Sequence, residues 1–319
     1  MSNSVISHSQ TVDISVVVPC YNEEEVLNEF HLRLTTALKT QSENYEVIYV
    51  SDGSEDNTDK ILRRIVKDDQ KKRLRFIKFS RNFGHQIAVS AGIEYAKGET
   101  VVLIDADLQD PPELIPEMFL KWKEGYSVVY CQRKMRTGES KFKLVTANWF
   151  YKILSYLTEI NIPTNTGDFR LMDRKVVEVL KNMPEKDRFI RGMVAWIGFR
   201  QFALNYDRDK RFAGKSKYPL WKMTKLAMDG ILSFSIKPLR LATLLGITSS
   251  FISLIGIFYA LIMWFYGTPV VGWTLMFIAI MFFSGVQLIS LGLIGEYMGR
   301  SYAESKGRPL YIIEDMQGF

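Results

Sequence analysis

The sequence predicts an α/β protein: a mainly parallel, Rossmann-like sheet domain, then amphipathic interface helices, then two transmembrane helices. Three observations predict it. Between Ile14 and Tyr130, short β-branched runs alternate with helical patterns. From Leu241 to Gly295, 55 residues pass without an Asp, Glu, Lys, Arg or His. Between these parts, residues 208–240 hold nine basic and two acidic side chains. A composition of 47% hydrophobic and 24% charged residues excludes disorder. Only two cysteines, Cys20 and Cys131, exclude a disulfide scaffold or a cysteine-based zinc site.

The expected strands are Ile14–Val18, Glu46–Val50, Leu74–Phe79, Thr100–Ile104 and Ser127–Tyr130. Helical patterns fill Glu23–Leu38, Asn57–Lys67, Gly84–Ala96 and Pro112–Lys123. Strands this apolar, separated by helices, form a parallel sheet covered on both faces. Ligands of such sheets bind beyond the carboxyl ends of the strands.

The uncharged stretch is too long for one span, which takes about 20 residues. It divides at Tyr266-Gly267-Thr268-Pro269 into helices expected over 238–265 and 270–297. Trp264, Tyr266 and Trp273 flank the turn as interfacial aromatics do. Lys237 and Arg240 precede the first span; Arg300, Lys306 and Arg308 follow the second. Positive residues favour the cytoplasmic side, so both ends are expected there, in a multi-pass inner-membrane protein. Residues 218–234 read as a basic amphipathic helix for an anionic membrane surface rather than for nucleic acid. The division is therefore 1–207 (sheet domain), 208–237 (basic juxtamembrane segment), 238–299 (two spans) and 300–319 (cytoplasmic tail). Gly246, Gly256, Gly285, Gly292 and Gly295 would permit close helix packing and a homo-oligomer.

Three predicted strands end in acidic loops. They read Pro19-Cys20-Tyr21-Asn22-Glu23, Ser51-Asp52-Gly53-Ser54, and Asp105-Ala106-Asp107-Leu108-Gln109-Asp110-Pro111-Pro112-Glu113. Each has a bland reading as a turn or helix cap. Their convergence on one sheet edge points to a ligand. Acidic groups alone repel phosphate, whereas Asp105 and Asp107 offer hard oxygens to Mg²⁺ or Mn²⁺, which then bridges to a diphosphate. Asp52 could instead accept hydrogen bonds from a base or ribose. No Gly-x-Gly-x-x-Gly follows a strand and no Gly-x-x-x-x-Gly-Lys occurs. The three histidines, His8, His31 and His85, are scattered.

These motifs resemble those of family 2 glycosyltransferases of GT-A fold. The Asp-Ala-Asp-Leu-Gln stretch with its double proline looks most like the polyprenyl-phosphate sugar transferases, and two C-terminal spans match the bactoprenol branch. The resemblance implies that Pro19, Tyr21, Glu23 and Asp52 line a nucleoside pocket. It implies that Asp105, Asp107 and Gln109 hold metal and diphosphate. Thr166-Gly167-Asp168-Phe169-Arg170 resembles the segment bearing the acceptor-side carboxylate, Asp168. Arg211-Phe212-Ala213-Gly214-Lys215-Ser216-Lys217-Tyr218 resembles a phosphate-proximal segment. Ser51 stands where many relatives have Asp, and it receives no metal role.

The implied reaction is inverting transfer of a hexose, glucose from UDP-glucose being the first choice, to polyprenyl phosphate. Arg211, Ser216, Lys217 and Arg133 are the candidates for the acceptor phosphate, with Arg suited to bidentate contact. A phosphate monoester has a second pKa of about 6, so it arrives largely ionised. Asp168 is then either a base or only an orienting group. A processive polysaccharide synthase is the alternative enzyme, although the Gln-x-x-Arg-Trp segment such enzymes carry is absent. A membrane-anchored, non-catalytic scaffold is the alternative class.

Overall fold

The computed structural model describes residues 12–133, 163, 166–207, 235–267 and 272–319. It forms two compact units, the first holding the sheet and residues 308–319, the second holding the apolar helices.

The first unit is built on strands β1 (Ile14–Cys20), β2 (Tyr45–Ser51), β3 (Leu74–Phe79), β4 (Thr100–Leu103), β5 (Val128–Arg133), β6 (Thr166–Asp173), β7 (Gln201–Tyr206) and β8 (Ile313–Gln317). Their helices are α1 (Leu27–Gln41), α2 (Thr58–Lys67), α3 (His85–Tyr95), α4 (Ile115–Lys123), α5 (Arg174–Asn182) and α6 (Ile190–Ile197). The sheet order is β7-β5-β6-β4-β1-β2-β3-β8. β4, β1, β2 and β3 are mutually parallel, β5 pairs parallel with β7, and β6 and β8 run antiparallel to their neighbours. Every residue of β1 and β2 is buried. That is the signature of strands covered on both faces. Phe30, Leu34 and Leu38 of α1 pack with Val16, Tyr49 and Phe76 in the core.

Two boundaries differ from expectation, each for a local reason. α1 starts at Leu27, not Glu23, because the N–H groups of Glu23 and Glu24 donate across to Thr58 Oγ1 (2.8 Å) and Asp56 Oδ2 (3.2 Å). The C-terminal residues are not a tail: Ile313–Gln317 joins the sheet beside β3, with Ile77 opposite Met316. Strands β6, β7 and β8 lie beyond the strands expected from the sequence, although Phe202, Leu204 and Tyr206 of β7 do alternate along it; β8, Ile313–Gln317, lacks such alternation.

Ser15 of β1 and Glu46 of β2 are buried polar residues, and they satisfy each other. Ser15 Oγ donates to Glu46 Oε1 (2.5 Å), and the Lys97 N–H donates to the same oxygen (2.7 Å). Arg75 pairs with Oε2 at 2.7 Å. Glu46→Ala would leave a largely buried guanidinium without its counter-charge, so a loss of about 3–5 kcal/mol is expected. Thermal unfolding in detergent checks it; a melting temperature within a degree or two of the parent would refute the assignment.

The second unit holds α7 (Lys237–Phe265) and α8 (Trp273–Ser305). α7 coincides with its expected span, and α8 runs eight residues past its predicted end at Tyr297. Within Lys237–Phe265 and Ala279–Ser305, 18-residue windows reach mean hydropathy 2.0 and 1.6, and both segments are long enough to cross a membrane. Their large side chains stand in the open: Phe251 is 64% exposed, Phe258 60% and Phe282 65%. Among the described residues nothing covers these faces, which distinguishes them from a buried hairpin. The expected interface helix, 218–234, lies outside the described residues.

Candidate active site

β1 is flanked by β4 on one side and β2 on the other, so the strand order reverses between β1 and β4. The loops after these two strands therefore splay apart at their carboxyl ends and leave a crevice. Pro19 stands near the carboxyl end of β1. Val17 accepts from the Ile104 N–H and Cys20 accepts from the Asp52 N–H, so residue 19 faces the β4 side, beyond the last β1–β4 pair, where no ladder donor is required.

The first two loops are laced together. The Asn22 N–H donates to Ser54 Oγ (3.2 Å), Asn22 Oδ1 accepts from the Glu55 N–H (2.9 Å), and Glu24 Oε2 accepts both N–H groups of Asn57 (3.0 and 2.8 Å). Tyr21 stands 36% exposed above them. Ser51, assigned no metal role, donates to Asp59 Oδ1 (2.5 Å).

Asp52 is 3% exposed. Its Oδ1 accepts from the Phe83 N–H (2.6 Å) and its Oδ2 from the Gly84 N–H (2.9 Å). Burial nonetheless raises its pKa above the ordinary carboxylate value, outweighing those two bonds. The carboxylate expected to meet a nucleoside thus clasps the β3–α3 loop. Gly53 makes the clasp possible: its φ is +65°, and a Cβ there would lie 2.4 Å from the Arg81 carbonyl carbon. Gly53→Ala is expected to cost at least about 1–2 kcal/mol, since both the left-handed conformation and the close approach exclude a side chain. Loss of less than a few tenths in chemical unfolding would contradict this.

Asp105 and Asp107 alternate with buried Ala106 and Leu108, which leaves both carboxylates partly exposed at the crevice rim. The turn is closed by Leu108 at φ +57° and by the Gln109 N–H, which donates to Asp107 Oδ1 (3.1 Å). Gln109 itself is 8% exposed, so it belongs to the wall more than to the rim. Among the described residues, no group of three or more His, Cys, Asp or Glu side chains could hold a metal. The two rim carboxylates still fit one. Mg²⁺ typically takes one or two carboxylates and completes its shell with substrate phosphate and water. Burial and the nearby Asp168, Asp107 and Asp110 raise the Asp105 carboxyl to about 6, with His85 opposing. That is accumulated negative charge a cation would relieve.

β6 supplies the third group. It runs antiparallel to β4, with Leu103 opposite Arg170. Two residues outward on each strand stand Asp105 and Asp168. Asp168 is 3% exposed and fully engaged. Its Oδ1 accepts from Arg191 Nε (2.7 Å), its Oδ2 from Gln86 Nε2 (3.0 Å) and pairs with His85 Nε2 (3.0 Å). Burial opposes its charge, but Arg191 and His85 hold its carboxyl well below the usual range. His85 also lies 3.6 Å from Asp105 Oδ1. Burial works against its protonation, yet Asp105 and Asp168 raise it to about 9. His85 thus links the two carboxylates.

Arg133, at the end of β5, lies close to the same group. Its Nη2 is 2.9 Å from where a Gly167 Cβ would stand, beside Asp168, and 3.9 Å from Asp110 Oδ1. Its Nε donates to Tyr206 Oη (3.4 Å), and Tyr206 donates a short hydrogen bond to Asp110. Arg211, Ser216 and Lys217 lie outside the described residues. The structure thus brings Asp105, Asp107, Asp168 and Arg133 together.

Sequence reading missed His85, Gln86, Arg191, Asp110 and Tyr206 as site groups. The strand-end rule applied to β3 would have found His85 and Gln86, which follow it by one short loop. Arg191 had no signal, since nothing in the sequence shows that α6 folds back onto β6.

The model of the family described as glycosyl transferase family 2 matches residues 15–181. A glycosyltransferase of Bacillus subtilis strain 168, YkcC, is 51% identical over 97% of this chain and 96% of its own. The bactoprenol glucosyl transferase of Shigella phage SfV is 40% identical over 95% of this chain and 98% of its own. Among solved structures, the mannosyltransferase PcManGT from Pyrobaculum calidifontis, in complex with GDP-Man and Mn²⁺, aligns at 19% identity and TM-score 0.47, over 69% of this chain and 63% of that one. A match that takes in the sheet motifs, joined to identity this high along nearly the full length, shows that the chain belongs to glycosyl transferase family 2, with the GT-A fold its motifs implied.

Proposed function

We propose that this chain moves glucose from UDP-glucose onto the phosphate of a polyprenyl phosphate at the membrane surface, inverting the anomeric centre, with Mg²⁺ or Mn²⁺ bound. The observation that carries the reading is the 40% identity to a bactoprenol glucosyl transferase over 95% of the chain, apolar helices included. A soluble transferase would share only the sheet.

The residues present suit the steps. Pro19, Tyr21 and Glu23 would frame the nucleoside end of the crevice, with Asp52 behind them holding the β3–α3 loop. Asp105 and Asp107 would hold the metal, with Gln109 behind them. When bound, the metal offsets charge on the departing diphosphate. Arg133, with Arg211, Ser216 and Lys217, would receive the acceptor phosphate. Asp168 keeps Arg191, Gln86 and His85 in place around the reacting groups. The acceptor is mostly ionised on arrival, so no strong base is required of it. Both flanks of the spans lie on the cytoplasmic side in this reading, where nucleotide sugars are made.

The test is a screen of labelled nucleotide sugars against undecaprenyl phosphate in membranes, with Mg²⁺ or Mn²⁺ present. Label from UDP-glucose in an organic-extractable lipid supports the reading. Label in polymer favours a processive synthase, and no label from any donor favours a scaffold.

A further inference from the structure

We infer that the C-terminal segment Tyr311–Phe319 positions the β3–α3 loop and helix α3, and through them His85 and Gln86, with Tyr311 as the positioning residue. The consequence for turnover rests on the transferase reading; the positioning itself does not.

The loop needs outside support. Ser80, Arg81 and Asn82 are exposed, and Gly84, which precedes α3, gives it no side-chain cap. Two groups hold it. Asp52 takes the Phe83 and Gly84 N–H groups from the β2 side. The C-terminal segment takes the other side. The Ser80 N–H donates to the Ile312 carbonyl (3.0 Å), continuing the β3–β8 ladder past its bulge at Lys78/Phe79. Tyr311 stacks on Phe79 (5.0 Å, 17°), and Phe79 meets Phe83 edge-on (5.6 Å, 87°). The Arg81 guanidinium closes over Phe83 at 4.0 Å. An aromatic row thus runs from Tyr311 to the residue whose N–H Asp52 grips, two positions before His85.

The same segment fixes the far end of α3. Phe319 packs edge-on against Tyr95, the last residue of α3 (5.3 Å). Phe319 also lies under the Arg75 guanidinium (5.1 Å). Gly318 permits this: with φ +85° it passes so near Leu74 that a Cβ would sit 2.3 Å from the carbonyl oxygen. Along the strand, Lys78 pairs with Glu314 (2.9 Å) and Arg63 with Asp315. One end of α3 holds the groups that contact Asp168, and the other end is pinned by residues 311–319.

The test uses the full-length protein in detergent. Hydrogen exchange is followed in peptides covering residues 80–90 for the parent, Tyr311→Ala, Tyr311→Leu and Tyr311→Phe. Loss of one aromatic pair predicts exchange about tenfold faster at Phe83 and Gly84 in Tyr311→Ala. Tyr311→Phe, which keeps the stack, should stay within about twofold. Tyr311→Leu serves in place of alanine if that variant does not fold. Turnover gives the second readout. Tyr311→Ala should lower kcat with KM for the donor nearly unchanged, and adding it to His85→Gln should cost nothing further. Unchanged exchange at residues 83–84, or kinetic effects that multiply with those of His85→Gln, would overturn the proposal. If no donor gives transfer, the exchange result still decides whether residues 311–319 hold the loop, and the transferase reading fails separately.

Discussion

Asp105→Ala is expected to lower lipid-linked sugar formation by at least about 100-fold, the scale on which removing one preorganised electrostatic contact acts. The residual activity should no longer respond to added Mg²⁺ or Mn²⁺. The reason is geometric. Asp105 and Asp107 are the partly exposed carboxylates of their turn, and the backbone there is bent through Leu108 at φ +57° to present them. Asp107, whose Oδ1 accepts the Gln109 N–H, would be left as the single rim carboxylate for the cation. Removing Asp105 also strips His85 of one of its two carboxylate partners. The assay is radiolabel extracted into organic solvent across a metal titration. Activity in Asp105→Ala that equals the parent's, or parental activity that survives a chelator, would remove the metal from the mechanism.

Asp168→Asn is expected to damage stability and turnover together. The amide would keep one acceptor for Arg191 but turn a donor toward His85 and Gln86, or the reverse. Either way a buried cation loses its counter-charge, including Arg170, whose pKa burial already lowers to about 10 despite Asp168. Breaking a buried pair costs about 3–5 kcal/mol. The pH dependence separates anchor from base. The folded carboxyl lies well below the unfolded value of about 3.9, so its contribution to stability is full above that value and is lost only as pH falls through the folded one. Between about pH 5 and 8 that contribution is constant, and no limb of the kcat profile in that window should belong to Asp168. A limb that disappears in Asp168→Asn would make it a titrating base. A variant that melts like the parent and turns over within a few-fold would remove the anchoring role.

Much of the fold was legible because parallel strands buried on both faces must be written in long apolar runs. Ile14–Cys20 and Tyr45–Ser51 could be little else. The spans were legible for a similar reason, since hydrocarbon tolerates no charge along 55 residues. β8 was hidden because Ile313–Gln317 holds two acidic residues, and their partners, Lys78 and Arg63, are distant in sequence. Asp52 shows a subtler limit. Its position at a strand end was readable, but its use was not, because its hydrogen-bond partners are main-chain groups that no side-chain pattern announces.

Composition and spacing by themselves determined the layered sheet, the apolar helix pair and the acidic rim at Asp105 and Asp107, because each is a local pattern enforced by burial or by adjacent residues. Only the tertiary structure decided that Asp168 is an anchored anion ringed by His85, Gln86 and Arg191, and that residues 311–319 back the loop leading to them. Those outcomes depend on which strands lie side by side, and an antiparallel β6 beside β4, like a β8 beside β3, is a choice of long-range pairing that short-range sequence does not encode.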